Sequence, residues 1–176
     1  MNEYHISSEN LKELCPKLRA GDKVYLSGNV YTSRDAAHKR IFELIDNKQE
    51  LPYPICNSVI YYAGPTETPD NMVIGSCGPT TSSRMDNFTP LLYNMGLTAT
   101  IGKGERNQAV IDSIISNNAV YLCALGGAGA LAAKSITSSR VIAFEDLGCE
   151  SVKQLQFYEF PLIVGIDCNG GNIFKR

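Results

Sequence analysis

The chain has 176 residues, a length that suits one domain with a sizeable hydrophobic core. Hydrophobic residues make up 44% and charged residues 19%, which is the composition of a globular protein and excludes a disordered one. Sixteen Lys and Arg against eighteen Asp and Glu leave a net charge of −2, so the charge pattern indicates no nucleic-acid partner and no charged tail.

In chain order the hydrophobic pattern alternates between strands and helices, which predicts an α/β fold. Strands are predicted at 23–26, 58–63, 72–76, 98–101, 119–124, 141–144 and 162–166. Helical segments are predicted at 10–18, 34–47, 81–87, 90–94 and 105–116. A turn at Ser27-Gly28-Asn29 is expected to end the first strand, and Thr32-Ser33 is expected to cap the helix 34–47.

Two sequence features bear on cellular location. The apolar stretch 119–133 is too short and too rich in glycine to span a bilayer, and the start of the chain lacks the pattern of a secretory signal. The six cysteines are scattered without a CxxC pair, so the sequence predicts neither a zinc nor an iron–sulfur site, but reduced thiols in the cytoplasm. Cys77 differs from the others because it lies inside the motif-rich segment 75–85.

Three loops that follow predicted strands share one composition: a small-residue turn and a cation, with a hydroxyl in two of them. They span 31–40, 75–85 and 102–104. In an α/β sheet, ligands bind outside the carboxyl ends of the strands, where backbone N–H groups favour anions. Arg34, Arg84 and Lys103 would together suit a small dianion, since each guanidinium can grip a carboxylate. The alternative is that both arginines are solvated residues in the first turn of a helix.

Thr80 and Thr81 also have two interpretations. One of their hydroxyls could cap the short helix that follows Pro79. Alternatively, a hydroxyl in an anion pocket could move a proton, but its pKa is too high for a general base without a neighbouring carboxylate or a strongly cationic site. The sequence does not identify that neighbouring group.

The glycine-rich segment 126–132 matches a dinucleotide-binding spacing at Gly127, Gly129 and Ala132. Glu145 and Asp146 follow at about the separation of a ribose ligand. Against a cofactor site, the implied helix is short and the pattern comes late in the chain. The favoured hypothesis is that these small residues allow close packing.

Together the loops resemble the β subunit, or C-terminal domain, of the iron–sulfur-dependent hydro-lyases, the class I fumarases and L(+)-tartrate dehydratases. Five motifs carry the resemblance, in the family's order and spacing. They are Thr-Ser-Arg-Asp-Ala-Ala-His-Lys-Arg at 32–40, Gly-Pro-Thr-Thr-Ser-Ser-Arg-Met at 78–85, Ile-Gly-Lys-Gly at 101–104, Gly-Gly-Ala-Gly-Ala-Leu-Ala-Ala-Lys at 126–134 and Ala-Phe-Glu-Asp-Leu-Gly at 143–148.

The resemblance implies one swivelling β/β/α domain over 1–176 and the reversible hydration of fumarate to (S)-malate, with dehydration of L(+)-tartrate as the alternative. It assigns Thr80 as the catalytic base. Arg34, Arg84 and Lys103 would bind the substrate's carboxylates and hydroxyl. The residues expected to line the site are Gly78, Thr81 and Asp35.

The resemblance also implies a [4Fe-4S] cluster, which would accept the substrate hydroxyl as a Lewis acid. The cluster would belong to a separate α subunit, because no part of this chain resembles the cluster-binding region and no metal ligand is predicted here. The expected partners are therefore the α subunit and a small dicarboxylate, in an (αβ)2 assembly or a homodimer of β subunits. A non-catalytic nucleotide-binding module, using Gly127 and Gly129, is the alternative from a different functional class.

Overall fold

A seven-stranded sheet organises the computed structural model, which describes residues 1–175. The strands are β1 (Glu3–Ser7), β2 (Lys23–Thr32), β3 (Val59–Tyr61), β4 (Ala99–Gly102), β5 (Val120–Cys123), β6 (Ile136–Ala143) and β7 (Val152–Ile166). The α-helices are α1 (Leu11–Leu14), α2 (Asp35–Asp46), α3 (Thr89–Asn94), α4 (Gln108–Ser116) and α5 (Gly129–Lys134). Short 3₁₀ helices cover Cys15–Lys17, Ser82–Met85 and Glu145–Glu150. The predicted α/β class is confirmed.

The sheet is mixed and closes on itself. Strands β1 to β5 pair in parallel in chain order, and β7 runs antiparallel to both β5 and β2. Since β2 is also bonded to β3, the pairings form a ring of β2, β3, β4, β5 and β7, with β1 and β6 attached outside it. The carboxyl ends of β2 to β5 therefore share one edge of this ring.

Side chains that alternate along the strands build two hydrophobic cores. On β3, Val59 and Tyr61 belong to one core, whereas Ile60 between them belongs to the other. Helices α2 and α4 cover the second core, to which they contribute Ile41 and Ile114. In the described residues, no helix is long and apolar enough to cross a bilayer.

The predicted turn at Ser27-Gly28-Asn29 is wrong, because β2 continues through it. The pairing register of β2 with β7 shifts between Leu26 and Gly28, so the segment is a bulge within one strand. Gly28 has a φ of +110°, and a Cβ there would lie 2.4 Å from the Oγ of Ser8. A glycine is therefore needed to keep the strand beside this neighbour.

Other boundaries also differ from the predictions. The segment 72–76 is a loop rather than a strand, strand β1 was not predicted, and β7 begins ten residues before the predicted 162. The predicted cap at Thr32-Ser33 is wrong too, because Arg34 precedes the first turn of α2 and no side chain caps it. Thr32 instead ties β2 to β7, since its hydroxyl donates to the carbonyl of Ser151 and accepts from the N–H of Lys153.

Candidate active site

The loops that follow β2, β3 and β4 meet at the carboxyl edge of the sheet. Arg34 follows β2 and packs against the backbone of Gly64, which follows β3: a Cβ at Gly64 would lie 2.8 Å from an Arg34 guanidinium nitrogen. A larger residue at position 64 would therefore collide with the Arg34 side chain, and glycine leaves the room that it occupies.

The segment around Thr80 bridges β3 and β4. The Thr80 N–H donates to the carbonyl of Tyr62 at 2.7 Å, which fixes it beside the end of β3. Its neighbour Thr81 forms a parallel bridge with Lys103, and the Ser82 N–H donates to the Lys103 carbonyl at 2.9 Å. Thr80 is consequently held between two strand ends, half-buried, and directly beside the residue that pairs with the predicted lysine.

Lys103 links this segment to the loop after β5. Its side chain is exposed, and a Cβ on Gly126 would lie 3.5 Å from the lysine Cδ. The four residues predicted to act on a substrate thus come from loops at one edge of the ring, although 69 positions separate the first from the last.

The two predicted arginines share one counter-ion. Arg84 Nε donates to Asp35 Oδ1 at 3.1 Å, and Arg84 Nη2 lies 2.9 Å from Asp35 Oδ2. Arg34 Nη2 lies 3.9 Å from that same oxygen, and Arg34 Nε lies 3.7 Å from Glu150 Oε1. Asp35, predicted only to line the site, therefore contacts both cations, and Glu150 is an acidic neighbour that the sequence did not reveal.

Arg34 is incompletely satisfied by the protein. Its side chain is only 20% exposed, and its Nε is buried without a hydrogen-bond partner in residues 1–175. Buried polar groups are normally hydrogen-bonded, and an unpaired one costs free energy. The nearest acceptor, Glu150 Oε1, lies 3.7 Å away and is itself buried without a partner, so ion-pair contacts rather than hydrogen bonds hold this end of Arg34.

A buried histidine fixes the backbone beside Arg34. His38 Nδ1 lies 2.8 Å from the Arg34 carbonyl oxygen and 2.9 Å from the Ser33 Oγ, and its ring packs on Tyr62 and Phe88. Burial lowers the pKa of His38 from 6.5 to about 4, so the imidazole is neutral at pH 7. A neutral ring can donate one hydrogen bond to the carbonyl, which makes His38 a support for the arginine loop.

A second arginine centre lies beneath the site and was not predicted. Arg106 is buried, and its Nε donates to Asp86 Oδ1 at 2.6 Å. Its other nitrogens donate to the hydroxyls of Thr100 and Thr89, at 3.0 and 2.8 Å. Because Asp86 directly follows the 3₁₀ helix that carries Arg84, this network anchors that helix to β4.

The glycine-rich segment packs against the Thr80 loop. A Cβ on Gly129 would lie 2.3 Å from the Ser76 Oγ, and the Cys77 N–H donates to the Gly129 carbonyl at 3.1 Å. Helix α5, which begins at Gly129, has six residues. Asp146, which a ribose would need, is instead paired with both terminal nitrogens of Arg40. Close packing accounts for the small residues here.

The cysteines do not form a cluster site. Cys77 is buried, and burial raises its pKa to about 12, so it stays a protonated thiol. Cys56 and Cys149 are exposed, whereas Cys15 and Cys168 are buried. Among the described residues, no group of three His, Cys, Asp or Glu side chains could hold a metal ion. The side chains of residues 1–175 therefore do not fit an iron–sulfur cluster.

Comparison with known proteins gives one consistent family. A family model described as Fumarase C-terminus matches residues 2–176. Fumarate hydratase 2 of Leishmania major is 35% identical over 187 residues, covering 99% of this chain and 33% of the relative. The anaerobic class I fumarate hydratase of Escherichia coli is 36% identical over 171 residues, covering 94% of this chain and 31% of the relative.

The L(+)-tartrate dehydratase subunit beta of Escherichia coli is 32% identical over 176 residues, covering 97% of this chain and 84% of that subunit. The chain thus spans about a third of each of the two fumarate hydratases but most of the tartrate dehydratase subunit.

Proposed function

This chain belongs to the Fumarase C-terminus family, and from that premise we propose that it is the β subunit of an iron–sulfur-dependent hydro-lyase. The reaction is the reversible hydration of fumarate to (S)-malate, carried out with an α subunit. The observation that carries the proposal is the meeting of Thr80, Arg34, Arg84 and Lys103 at one edge of the sheet.

The cations suit a dicarboxylate. The Arg84 side chain is 52% exposed and the Arg34 side chain is 20% exposed, so both guanidiniums are proposed to donate to a carboxylate that enters the cluster. Lys103 adds an exposed point charge beside Thr80. Removing the C3 proton of malate builds negative charge on the adjacent carboxylate, and cations fixed around it stabilise that charge.

Thr80 is proposed to move that proton. Within the described residues its hydroxyl makes no hydrogen bond to a carboxylate, so the group that activates it has to come from elsewhere. We assign this missing acid–base partner to the α subunit. The proposed site is therefore composite, and this chain alone is expected to be inactive.

We also assign the [4Fe-4S] cluster to the α subunit, where it would supply a Lewis acid for the substrate hydroxyl. Residues 1–176 are proposed to form one swivelling β/β/α domain, in an (αβ)2 assembly or a homodimer of β subunits. The cytoplasm is the proposed compartment, because all six cysteines are free thiols, which suits a reducing environment.

The substrate has one serious alternative. Dehydration of L(+)-tartrate is favoured by the relative whose length this chain matches best among the three described above. (S)-Malate and L(+)-tartrate differ by one hydroxyl, which a few side chains on either subunit can distinguish.

The test is to coexpress the chain with a cluster-bearing α subunit under anaerobic conditions and assay fumarate, (S)-malate and L(+)-tartrate. Thr80→Ala should lower kcat by about 100-fold or more with little change in KM, because it removes a proton-transfer role. Ser83→Ala, in an exposed position of the same loop, is the control and should keep full activity. Full kcat in Thr80→Ala, or turnover by the chain alone, would contradict the composite site.

A further inference from the structure

We infer that Asp35 is a positioning residue, which holds Arg84 and Arg34 in one fixed orientation so that a substrate carboxylate meets both. This inference rests on the proposed function, because it assumes that the two arginines bind the dicarboxylate. It assigns to Asp35 a role in the reaction through the arginines rather than by contact with substrate.

One carboxylate oxygen of Asp35 contacts Arg84 alone, and the other contacts both arginines. Oδ1 accepts from the Nε of Arg84 at 3.1 Å, whereas Oδ2 lies 2.9 Å from Nη2 of Arg84 and 3.9 Å from Nη2 of Arg34. Solvent does not reach Oδ2, and this oxygen accepts no hydrogen bond from the described residues, so its contacts with the two arginines are ion pairs. A carboxylate oxygen that water cannot reach interacts more strongly with its cations than one on the open surface. Asp35 thus joins the two arginines into one unit.

The side on which Asp35 lies matters for binding. It faces the edge of Arg84 formed by Nε and Nη2, and a guanidinium has a second edge, formed by its two terminal nitrogens. Since 52% of the Arg84 side chain is exposed, we propose that this second edge receives the ligand carboxylate. Without Asp35, the long side chain would lose the contact that selects this orientation.

Replacing Asp35 by a neutral residue should have opposite effects through the charge of the cluster and through the orientation of the arginines. Arg34, Arg84, Asp35 and Glu150 together carry no net charge, so Asp35→Asn would make the cluster positive. Added positive charge strengthens the binding of a dianion, whereas lost orientation weakens the interactions that develop in the transition state. A positioning role therefore predicts a fall in kcat with a nearly constant KM.

The kinetic test compares three variants in the complete complex with the α subunit. Asp35→Asn should lower kcat by about tenfold to a hundredfold, the effect of one charge-assisted hydrogen bond, with KM changed by less than about threefold. Asp35→Glu, which keeps the charge, should recover part of kcat. Asp146→Asn is the matched control, because both oxygens of Asp146 pair with Arg40 rather than with Arg34 or Arg84, and it should behave as wild type.

The inference would be overturned if Asp35→Asn kept the wild-type kcat, whether or not its KM fell. It would also be overturned if Asp146→Asn lost as much kcat as Asp35→Asn.

A second readout separates this inference from the proposed function. In the ¹⁵N-labelled chain, the Nε–H signal of Arg84, assigned by its absence in Arg84→Lys, reports the bond to Asp35 directly. Asp35→Asn should shift or broaden this signal and leave that of Arg106 in place. An unchanged Arg84 signal would overturn the inference. If the wild-type complex turned over none of the three substrates, the proposed function would fail while this measurement still decided the role of Asp35.

Discussion

Two arginine centres of this molecule, one formed by Arg106 and the other by Arg34 and Arg84, differ in how the protein satisfies them. Arg106 is fully enclosed, donates to Asp86, Thr100 and Thr89, and stacks over the rings of Tyr62 and Tyr121. Burial alone would lower its pKa, but the neighbouring tyrosines and Asp86 raise the pKa above its ordinary value. Every side of this guanidinium has a partner from the chain.

The centre formed by Arg34 and Arg84 is incomplete. Arg34 has ion-pair contacts of 3.7 and 3.9 Å and a buried nitrogen without a partner, and half of Arg84 faces solvent. An arginine whose hydrogen bonds are all made within the protein stabilises the fold, whereas one that retains unused donors is available for a ligand. The same substitution should therefore have opposite consequences in the two centres.

The largest effect is expected for Arg106→Met. It leaves Asp86 charged and buried, and breaking one side of a buried ion pair costs about 3–5 kcal/mol of unfolding free energy. Urea denaturation followed by circular dichroism measures the loss. Arg40→Met, in an exposed ion pair, should leave the unfolding free energy nearly unchanged. Equal losses in the two variants would remove the distinction between an enclosed and an exposed pair.

Arg34→Met should give the reverse result. Its contacts of 3.7 and 3.9 Å are longer than hydrogen bonds, so the loss of unfolding free energy should be smaller than for Arg106→Met. In the active complex, however, KM should rise by about tenfold to a hundredfold, because a charged contact to a carboxylate is lost. Steady-state kinetics give KM, and the same urea titration gives the free energy of unfolding. A strongly destabilised protein with normal KM would place Arg34 in the same class as Arg106.

The smallest effect concerns His38, which contacts both centres. Its ring lies beside the Arg34 carbonyl and packs on Tyr62, over which Arg106 stacks. Its pKa is about 4 in the folded protein against 6.5 in the unfolded chain, so the unfolded state binds more protons in this interval. The contribution of His38 to the unfolding free energy is therefore fully present above pH 6.5 and is lost as the pH falls from 6.5 toward 4.

Between pH 6.5 and 5.5 the loss should be about 1 kcal/mol. The measurement is urea denaturation at both pH values in wild type and in His38→Gln. In His38→Gln, the difference in unfolding free energy between the two pH values should be smaller than in wild type by about 1 kcal/mol. An equal pH dependence in both proteins would show that His38 titrates normally.

The candidate site was more predictable from the sequence than the sheet that carries it. The loops at 31–40, 75–85 and 102–104 are visible because small, hydroxyl and cationic residues cluster directly after apolar strands. Their meeting follows from the parallel order of the strands. The pairing of Asp86 with Arg106 carries no local signal, since the partners are 20 residues apart and neither lies in a periodic pattern.

Strand β7 shows why the strand boundaries were harder. Polar residues such as Gln154, Gln156 and Glu159 interrupt its apolar positions, and Pro161 usually excludes a central strand. Here Pro161 lies after the segment bonded to β6 and before the segment bonded to β5, where the missing N–H is tolerated. A strand that changes partners along its length has no single periodicity to detect.

The closure of the ring by β7 also sets the order in which this protein can acquire its site. The hydrogen bond from the Lys153 N–H to Thr32, at the end of β2, spans 121 residues of chain. Pairings this distant in sequence form slowly, because closing the long loop costs entropy before any stabilising contact forms. During synthesis, Arg34 emerges early, but the strand that precedes it keeps an open edge until β7 has left the ribosome. Closure of the ring is therefore a late step in folding.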